Sequence, residues 1–292
     1  TFKCVVRDEV AHADDTLAVA LFYRAGAEFI YRFSSEEEIL GVEGDVIVFD
    51  VGDEFRHRLP PRFVVLDHHG VADPAQEPSS VVQAALAVGA KFTPLVQTLV
   101  NFIDIYDRFG IHAKKWSGVF GNSLKYGLSM YFGDSTPKGL VKDEKFLALV
   151  ADALYSTLDV ELREFAQAFK VAEKLRAAKF VDQFPRTFRF LKLILQAARD
   201  PVATSLSKEA VEAGFGIDFG AYALLAVPEL EPYVVKGLNR YFADGEVAAE
   251  IAERGRYTLV KGVVTAVVVE EVIRPRFLYD ALLDLGILDG PT

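Results

Sequence analysis

Short apolar runs alternate with amphipathic helical patterns along the first part of the chain. Four runs of β-prone residues predict strands at residues 2–6, 28–33, 46–49 and 63–66. A helical pattern from Leu17 to Phe22 follows Asp14 and Asp15, and a short capped turn of helix spans residues 34–40. Strands that alternate with helices form parallel sheets, so the pattern predicts an α/β fold with a parallel sheet and flanking helices.

Helical periodicity dominates the middle of the chain, whereas the C-terminal part mixes helical and strand patterns. After a loop marked by Pro and Ser at residues 73–80, the pattern predicts helices at residues 81–88, 93–107, 118–131, 140–157 and 160–180. In the tail it predicts helices at residues 205–213 and 277–285 and strands at residues 223–227, 256–261 and 263–272. We therefore expect a first domain over residues 1–198, including connecting helices, and a smaller α+β cap domain over residues 199–292.

Composition and charge narrow the class of protein. Of the 292 residues, 51% are hydrophobic and 25% are charged, which predicts a large folded core rather than disorder. The net charge of −10 argues against a broad basic surface for long nucleic acid, but it leaves room for a short one. No apolar run approaches the roughly 18 residues that span a bilayer. The single cysteine, Cys4, and the lack of a signal-peptide pattern indicate a cytoplasmic location.

Carboxylates and imidazoles follow three of the predicted strands directly. These residues are His12, Asp14, Asp50, Asp67, His68 and His69. In an open parallel sheet the carboxyl ends of the strands share one edge, so we expect these side chains to converge. Imidazole and carboxylate are the usual ligands of Mn, Fe, Zn and Mg, and a cation would offset the repulsion between so many acidic groups. The sequence therefore predicts a metal site at this edge.

One further acidic ligand is expected from the helix at residues 93–107. Asp104 and Asp107 each interrupt an apolar stretch, and residues three apart on a helix can share a face. Either one fits, and the pattern does not choose between them. Asp15 is interpreted as a helix cap rather than a ligand.

Taken in order, these motifs resemble those of the DHH phosphoesterase superfamily, and their spacing is closest to its Myg-type branch of metal-dependent nucleases. The matching segments are His12 to Ala18, Asp50 to Gly52, Asp67 to Gly70, and Asp104 with Asp107. The resemblance covers about the first 110 residues. The superfamily includes exonucleases, oligoribonucleases, cyclic-dinucleotide phosphodiesterases and manganese pyrophosphatases. The resemblance implies two-metal hydrolysis of a phosphoester with Mn²⁺ as the favoured cofactor, Mg²⁺ as the alternative, and one or two ions bound.

The resemblance also assigns roles to individual residues. Asp50 would bridge two ions, and His12 would serve the first of them. The residues expected at the second ion are Asp14, His68 and either Asp107 or Asp104. His69 would hydrogen-bond the attacked phosphate, while Asp67 would hold the two histidines in orientation.

Two departures from the family pattern affect the interpretation. Arg7 stands where the Myg-type pattern has a histidine, and a guanidinium cannot ligate a metal. Arg7 would instead supply positive charge or bind phosphate, with Asp8 as a substitute ligand, and the first metal site would be weak or absent. The tail also lacks a glycine-rich GGGH-type motif. Arg274 and Arg276 are the candidates for substrate binding there, with ordinary surface as the alternative, and His57 is a further candidate in a loop.

The favoured function is hydrolysis of phosphodiester bonds in short single-stranded nucleic acid. The alternatives are a phosphoesterase for pyrophosphate or a cyclic dinucleotide, and a non-catalytic scaffold with a degraded metal site, to which Arg7 points. The expected partner is a short nucleic acid or nucleotide substrate and no membrane, while a homodimer or a protein complex stays open.

Overall fold

A mostly parallel sheet organises the N-terminal part of the molecule. The computed structural model describes residues 2–7, 12–27, 29–33, 35–109, 139–140, 144–160, 171, 179–188, 219–262, 265–271 and 273–289. Within these ranges one sheet contains β1 (Phe2–Arg7), β2 (Phe29–Phe33), β3 (Asp45–Phe49), β4 (Phe63–Leu66) and β5 (Gly139–Leu140). The strand order is β4-β3-β1-β2-β5, in which β1 to β4 are parallel and β5 runs antiparallel to β2. The α/β class is confirmed.

Helices follow the strands and fill the C-terminal part of the chain. They are α1 (Ala13–Arg24), α2 (Glu36–Leu40), α3 (Ser80–Val88), α4 (Pro94–Phe109), α5 (Glu144–Leu154), α6 (Phe219–Ala226), α7 (Glu231–Glu253) and α8 (Pro275–Asp284). Among the described residues, 3₁₀ helices span Asp53–Arg58 and Pro228–Leu230, and a hairpin pairs β6 (Thr258–Lys261) with β7 (Thr265–Val268).

The strand register brings three of the predicted site positions to one edge. Val6 of β1 pairs with Phe49 of β3, and Phe49 pairs with Leu66 of β4. The next residues along these strands are Arg7, Asp50 and Asp67. Because the three strands are parallel, these residues lie side by side at the carboxyl edge of the sheet, as the sequence predicts.

Alternate residues of the central strands build two cores. On β1, Cys4 and Val6 join the larger core, while Val5 joins the smaller core on the other face of the sheet. The larger core contains the buried faces of α1, α3 and α4 and continues without interruption through α5 and α6 to α7 and α8. Rings of Phe146 on α5 and Tyr233 on α7 pack with their centroids 5.2 Å apart. This packing joins α5 to α7 within the core that also contains the buried faces of α1, α3 and α4.

Most predicted elements are confirmed within the described ranges, but one predicted strand is wrong. Residues 223–227, predicted as a strand, mostly lie in helix α6, whose residues Phe219 to Leu224 are all buried. A short apolar run that is buried on every side has no amphipathic period, so its pattern does not separate a helix from a strand. The sequence analysis also missed α7. The predicted helices at residues 118–131 and 205–213, most of the helix at 160–180, and the domain boundary near residue 198 lie outside the described residues.

Candidate metal centre

The carboxyl edge of the sheet gathers a dense group of acidic and imidazole side chains. Two sets of possible ligand atoms, counted over the described ranges, each lie within 4.8 Å of one another. One set is Asp50, Asp67, His68 and His69, and the other is Asp14, Asp50 and Asp107. Asp50 belongs to both sets, so it stands between two neighbouring places at which a cation could bind.

Asp50 has an unusual backbone conformation. Its φ of 55° lies in the left-handed region, which costs a non-glycine residue about 1 kcal/mol or more. Its backbone N–H donates to the carbonyl oxygen of Leu66 at 3.0 Å and to the hydroxyl of Ser80 at 3.1 Å. Its side chain is 5% exposed. The chain therefore bends sharply just after β3 and holds the Asp50 carboxylate at the edge of the sheet.

The histidines lie at distances from the carboxylates that suit a shared ion better than direct hydrogen bonds. His68 Nδ1 is 3.8 Å from Asp50 Oδ1, and His68 Nε2 is 3.4 Å from Asp107 Oδ2. His12 Nδ1 is 3.7 Å from Asp50 Oδ2 and 3.8 Å from Asp107 Oδ1. Two ligands that each bind one ion at about 2.1 Å lie about 3 to 4.2 Å apart, so each spacing fits one shared ion. An imidazole binds a given ion through one nitrogen, so for His68 the Nδ1 position beside Asp50 and the Nε2 position beside Asp107 are alternatives.

Asp50 and His68 each bury a polar atom at the centre. Among the residues that the structure describes, no group hydrogen-bonds Asp50 Oδ1 or His68 Nδ1. Buried polar atoms are nearly always satisfied, so a pair without partners is consistent with a missing ligand between them. The donor set of carboxylates and imidazoles suits Mn²⁺, Fe²⁺ or Zn²⁺, and the carboxylates also suit Mg²⁺.

Asp67 is surrounded by donors. Its Oδ1 accepts the backbone N–H of His68 at 2.8 Å and that of His69 at 3.2 Å, and it lies 2.6 Å from His69 Nδ1. Its Oδ2 accepts the backbone N–H of Asp53 at 3.0 Å. Burial opposes ionisation of Asp67, but the bond from His69 and the backbone N–H donors outweigh it and lower its pKa to about 2. Asp67 is therefore an ionised anchor for the loop after β4.

The two adjacent histidines differ in environment. The imidazoles of His68 and His69 stack with their centroids 4.4 Å apart. His68 is 7% exposed, and burial is the main reason that its pKa is lowered, which favours the neutral ring that binds metals. The side chain of His69 is about half exposed at 49%. The ring of His69 is therefore partly exposed to solvent, while its Nδ1 is bonded to the carboxylate of Asp67.

Asp14, on the first turn of α1, is tied to the beginning of α3. Its two carboxylate oxygens accept the backbone N–H groups of Ser80 at 3.0 Å and Val81 at 2.9 Å. Burial and then repulsion from Asp50 raise the pKa of Asp14 to about 7, against the opposing effect of these hydrogen bonds. A carboxylate oxygen has two lone pairs, so the same oxygens can also serve a cation.

His12 stands at the outer side of the centre. It is the residue before α1, and its side chain is 65% exposed. The nearby Asp50 carboxylate, whose Oδ2 lies 3.7 Å from His12 Nδ1, is the main influence that raises the pKa of His12. Proton and metal ion would compete for this imidazole.

The two aspartates of α4 have different contacts in the structure. Asp104 Oδ1 accepts the backbone N–H of Ser79 at 2.7 Å, and both its oxygens accept Nε and Nη2 of Arg108 at 3.0 and 2.5 Å. Asp107 lies beside His12 and His68 instead. Of the two aspartates that the sequence left open, Asp107 faces the other candidate ligands, and Asp104 joins α4 to the loop before α3.

A 3₁₀ helix supports the loop after β4, and sequence reasoning missed it. The Asp53 carboxylate accepts the N–H of Gly70 at 2.9 Å and pairs with Arg56. Nη2 of Arg56 and the side-chain amide of Gln83 also donate to the carbonyl of Asp67, at 3.3 and 3.1 Å. The only sequence signal was Asp53, an additional carboxylate directly after the segment Asp50 to Gly52. These contacts fix the backbone that carries the two histidines.

The remaining candidate residues lie elsewhere or are partly undescribed. Arg7 ends β1 at the same edge, although its side chain is not among those described. His57 is exposed within the 3₁₀ helix, not in a loop as predicted. Arg274 precedes α8 and its Nε lies 3.5 Å from Asp244 Oδ2, and Arg276 donates to Asp280 at 2.9 Å. The structure does not bring these last two into the groups of candidate ligands.

Comparisons with known proteins add no relative. No family model, no curated protein and no solved structure matches the chain. The DHH resemblance therefore stays a prediction from the motifs. Across the part of the chain that the structure describes, no helix is both long and apolar enough to cross a membrane.

Proposed function

We propose that this protein is a metal-dependent phosphoesterase that hydrolyses phosphodiester bonds in short single-stranded nucleic acid. The observation that carries the proposal is the position of Asp50, which contributes to two sets of candidate ligands at the carboxyl edge of a parallel sheet. A carboxylate shared between two neighbouring cation sites suits two-metal hydrolysis of phosphate esters, in which the two ions lie close together. The order of motifs along the chain points to the same chemistry.

The proposed ligands divide around Asp50. The set of Asp14, Asp50 and Asp107 would hold one ion, to which the resemblance adds His68. The resemblance also assigns the second ion to His12, whose Nδ1 lies 3.7 Å from Asp50 Oδ2, so this division regroups the two sets described above around Asp50. When bound, the ions supply an activated water and neutralise charge on the phosphate. The side chain of His12 is exposed, so the second place is the weaker one in this proposal. Arg7 at the end of β1 is consistent with that weakness, because it cannot act as a ligand.

His69 is the proposed contact to the phosphate group. It is half exposed at the edge of the centre, while Asp67 accepts a hydrogen bond from its Nδ1. The pKa of Asp67, lowered to about 2, keeps this carboxylate ionised at neutral pH, so it can only accept. Asp67 therefore fixes the proton of His69 on Nδ1 and restrains the ring, as carboxylates do behind metal-site histidines.

The proposed substrate follows from charge. A net charge of −10 disfavours long duplexes, whose binding depends on many phosphate contacts from Lys and Arg. Arg274 and Arg276 already interact with Asp244 and Asp280, so a phosphate would have to compete for them. A short single strand that is held mainly at the metal centre needs few such contacts.

The test is hydrolysis of labelled short RNA and short DNA with Mn²⁺, with Mg²⁺ and with chelator. We expect metal-dependent cleavage by the wild type and its loss in Asp50→Ala. Glu54→Gln, which changes an exposed carboxylate four residues away, is the matched control and should retain activity. Pyrophosphate and a cyclic dinucleotide, assayed in parallel, identify the small-molecule alternative if only they are cleaved. No cleavage of any substrate together with no bound metal would overturn the proposal and favour a scaffold.

A further inference from the structure

Ser80, the first residue of α3, hydrogen-bonds both Asp50 and Asp14 of the candidate metal centre, and no sequence motif pointed to it. Its hydroxyl accepts the backbone N–H of Asp50 at 3.1 Å and donates to the carbonyl oxygen of Leu66 at 2.7 Å. Its own backbone N–H donates to Asp14 Oδ2 at 3.0 Å. One fully buried residue therefore joins the ends of β3 and β4 to the first turn of α1.

We propose that Ser80 is a positioning residue that holds Asp50 and Asp14 at the separation that a pair of divalent ions requires. This inference rests on the proposed function. Ser80 would not touch metal or substrate itself. It would act through the backbone of Asp50 and through the carboxylate of Asp14.

The conformation of Asp50 explains why such a residue is needed. A left-handed backbone at a non-glycine residue persists only where surrounding contacts over-determine it. The Asp50 N–H has two acceptors, the Leu66 carbonyl and the Ser80 hydroxyl, and the same hydroxyl donates to that carbonyl. The three groups form a closed set of hydrogen bonds at the point where the chain turns, which holds the carboxylate in place before any ion binds.

The chemistry of this position favours serine. A hydroxyl is a donor and an acceptor at once, and both functions are used here. Alanine keeps the backbone bond to Asp14 but loses the hydroxyl. It leaves the Asp50 N–H paired with the Leu66 carbonyl, so no buried donor becomes unsatisfied, and we expect Ser80→Ala to fold.

The experiment measures Mn²⁺ binding rather than activity. Calorimetric titration gives the number of ions and their affinities, and electron paramagnetic resonance separates a coupled Mn²⁺ pair, with ions about 3.5–4 Å apart, from isolated ions. The variants are Ser80→Ala and, as a matched loss of a hydroxyl, Thr98→Ala. Thr98 is exposed on α4 and donates only within its own helix, to Pro94. Unfolding midpoints in chelator show whether each variant is folded.

We expect the wild type and Thr98→Ala to give the coupled signal. Ser80→Ala should be folded, should bind Mn²⁺ about 10- to 100-fold more weakly and should lose the coupled signal, since loss of a partner behind a ligand has effects of this size. If Ser80→Ala does not fold, Ser80→Cys, which retains a weaker donor and acceptor, takes its place with the same expectation.

The outcomes distinguish this inference from the proposed function. A wild type that binds two coupled ions, with an unchanged signal and unchanged affinities in Ser80→Ala, overturns the role of Ser80 alone. A wild type that binds no Mn²⁺ overturns the proposed function, and the inference falls with it.

Discussion

Nδ1 of His69 lies 2.6 Å from Oδ1 of Asp67, and this contact joins the exposed ring of His69 to the buried carboxylate of Asp67 within the segment Asp67 to Gly70. Asp67 is 1% exposed and the side chain of His69 is 49% exposed. The same carboxylate also accepts three backbone N–H groups. Hydrogen bonds to the single negative charge of Asp67 therefore determine the conformation of the loop after β4.

The first prediction concerns the charge of Asp67. Its pKa of about 2 lies below the ordinary value of 3.8, so its ionisation stabilises the fold above pH 4, and that stability is lost as the pH falls toward 2. We expect Asp67→Asn to lower the free energy of unfolding at pH 7 by about 2 kcal/mol. Urea unfolding in chelator measures the change, with exposed Glu43→Gln as the control. Equal stability of Asp67→Asn and wild type would contradict the ionised anchor.

The second prediction separates the two aspartates of α4. Asp104→Asn should destabilise the fold by about 1–3 kcal/mol, because it weakens the pairing with Arg108 and the bond from Ser79. Asp107→Asn should leave the unfolding midpoint in chelator nearly unchanged and should lower Mn²⁺ affinity at least 10-fold. Thermal unfolding and metal titration of both variants test this division. The reverse result, with Asp104→Asn defective only in metal binding, would assign the ligand to Asp104.

The third prediction is a pH dependence due to Asp14. Its pKa is raised to about 7, so the metal-free fold binds this proton more tightly than the unfolded chain, whose value is near 3.8. The contribution of Asp14 is therefore most favourable below about pH 4 and is lost as the pH rises through 7, by a few kcal/mol in total.

The variant Asp14→Asn tests this dependence. In chelator it should be more stable than wild type at pH 8, and the difference should shrink as the pH falls and disappear near pH 4, while its Mn²⁺ binding is impaired at pH 8. Urea unfolding at a series of pH values makes the comparison. A constant difference across the series would show that Asp14 is ionised in the fold throughout.

The fourth prediction concerns Gly70, the last residue of the DHH segment. A Cβ placed on Gly70 would lie 2.7 Å from Cβ of Asp53 and 3.0 Å from its Cγ. Gly70→Ala should therefore displace the Asp53 carboxylate and cost about 1–3 kcal/mol of stability. At Gly41 the same addition meets nothing closer than 3.4 Å, so Gly41→Ala is the control. Differential scanning calorimetry compares them, and equal midpoints would show that the close approach is not restrictive.

Much of the fold and of the site edge could be predicted because both depend on local pattern and on topology. The runs at residues 46–49 and 63–66, which became β3 and β4, are continuous and apolar, and parallel pairing then forces Asp50 and Asp67 to one edge. The choice between Asp104 and Asp107 could not be predicted, because it depends on where Arg108 and Ser79 lie in three dimensions. Ser80 was missed for the same reason, since its sequence signal is only that of a helix start.

The failures in the tail have a similar physical origin. Helix α7 contains Gly237 and Gly245, which weaken a helical pattern. The structure explains Gly245, because a Cβ there would lie 3.0 Å from Cε1 of Phe188. Glycine, which is unfavourable within a helix, is favoured here by close packing from a distant part of the chain, and no local pattern contains that information.

The backbone of Asp50 has a consequence for any attempt to redesign this protein. Glycine adopts the left-handed conformation with little strain, so a library selected for thermal stability alone should accept glycine at position 50. Each such gain would remove the one carboxylate that both candidate ion sites share. Selection for stability would favour glycine at position 50, whereas selection for the proposed chemistry would favour aspartate. Engineered variants should therefore keep Asp50.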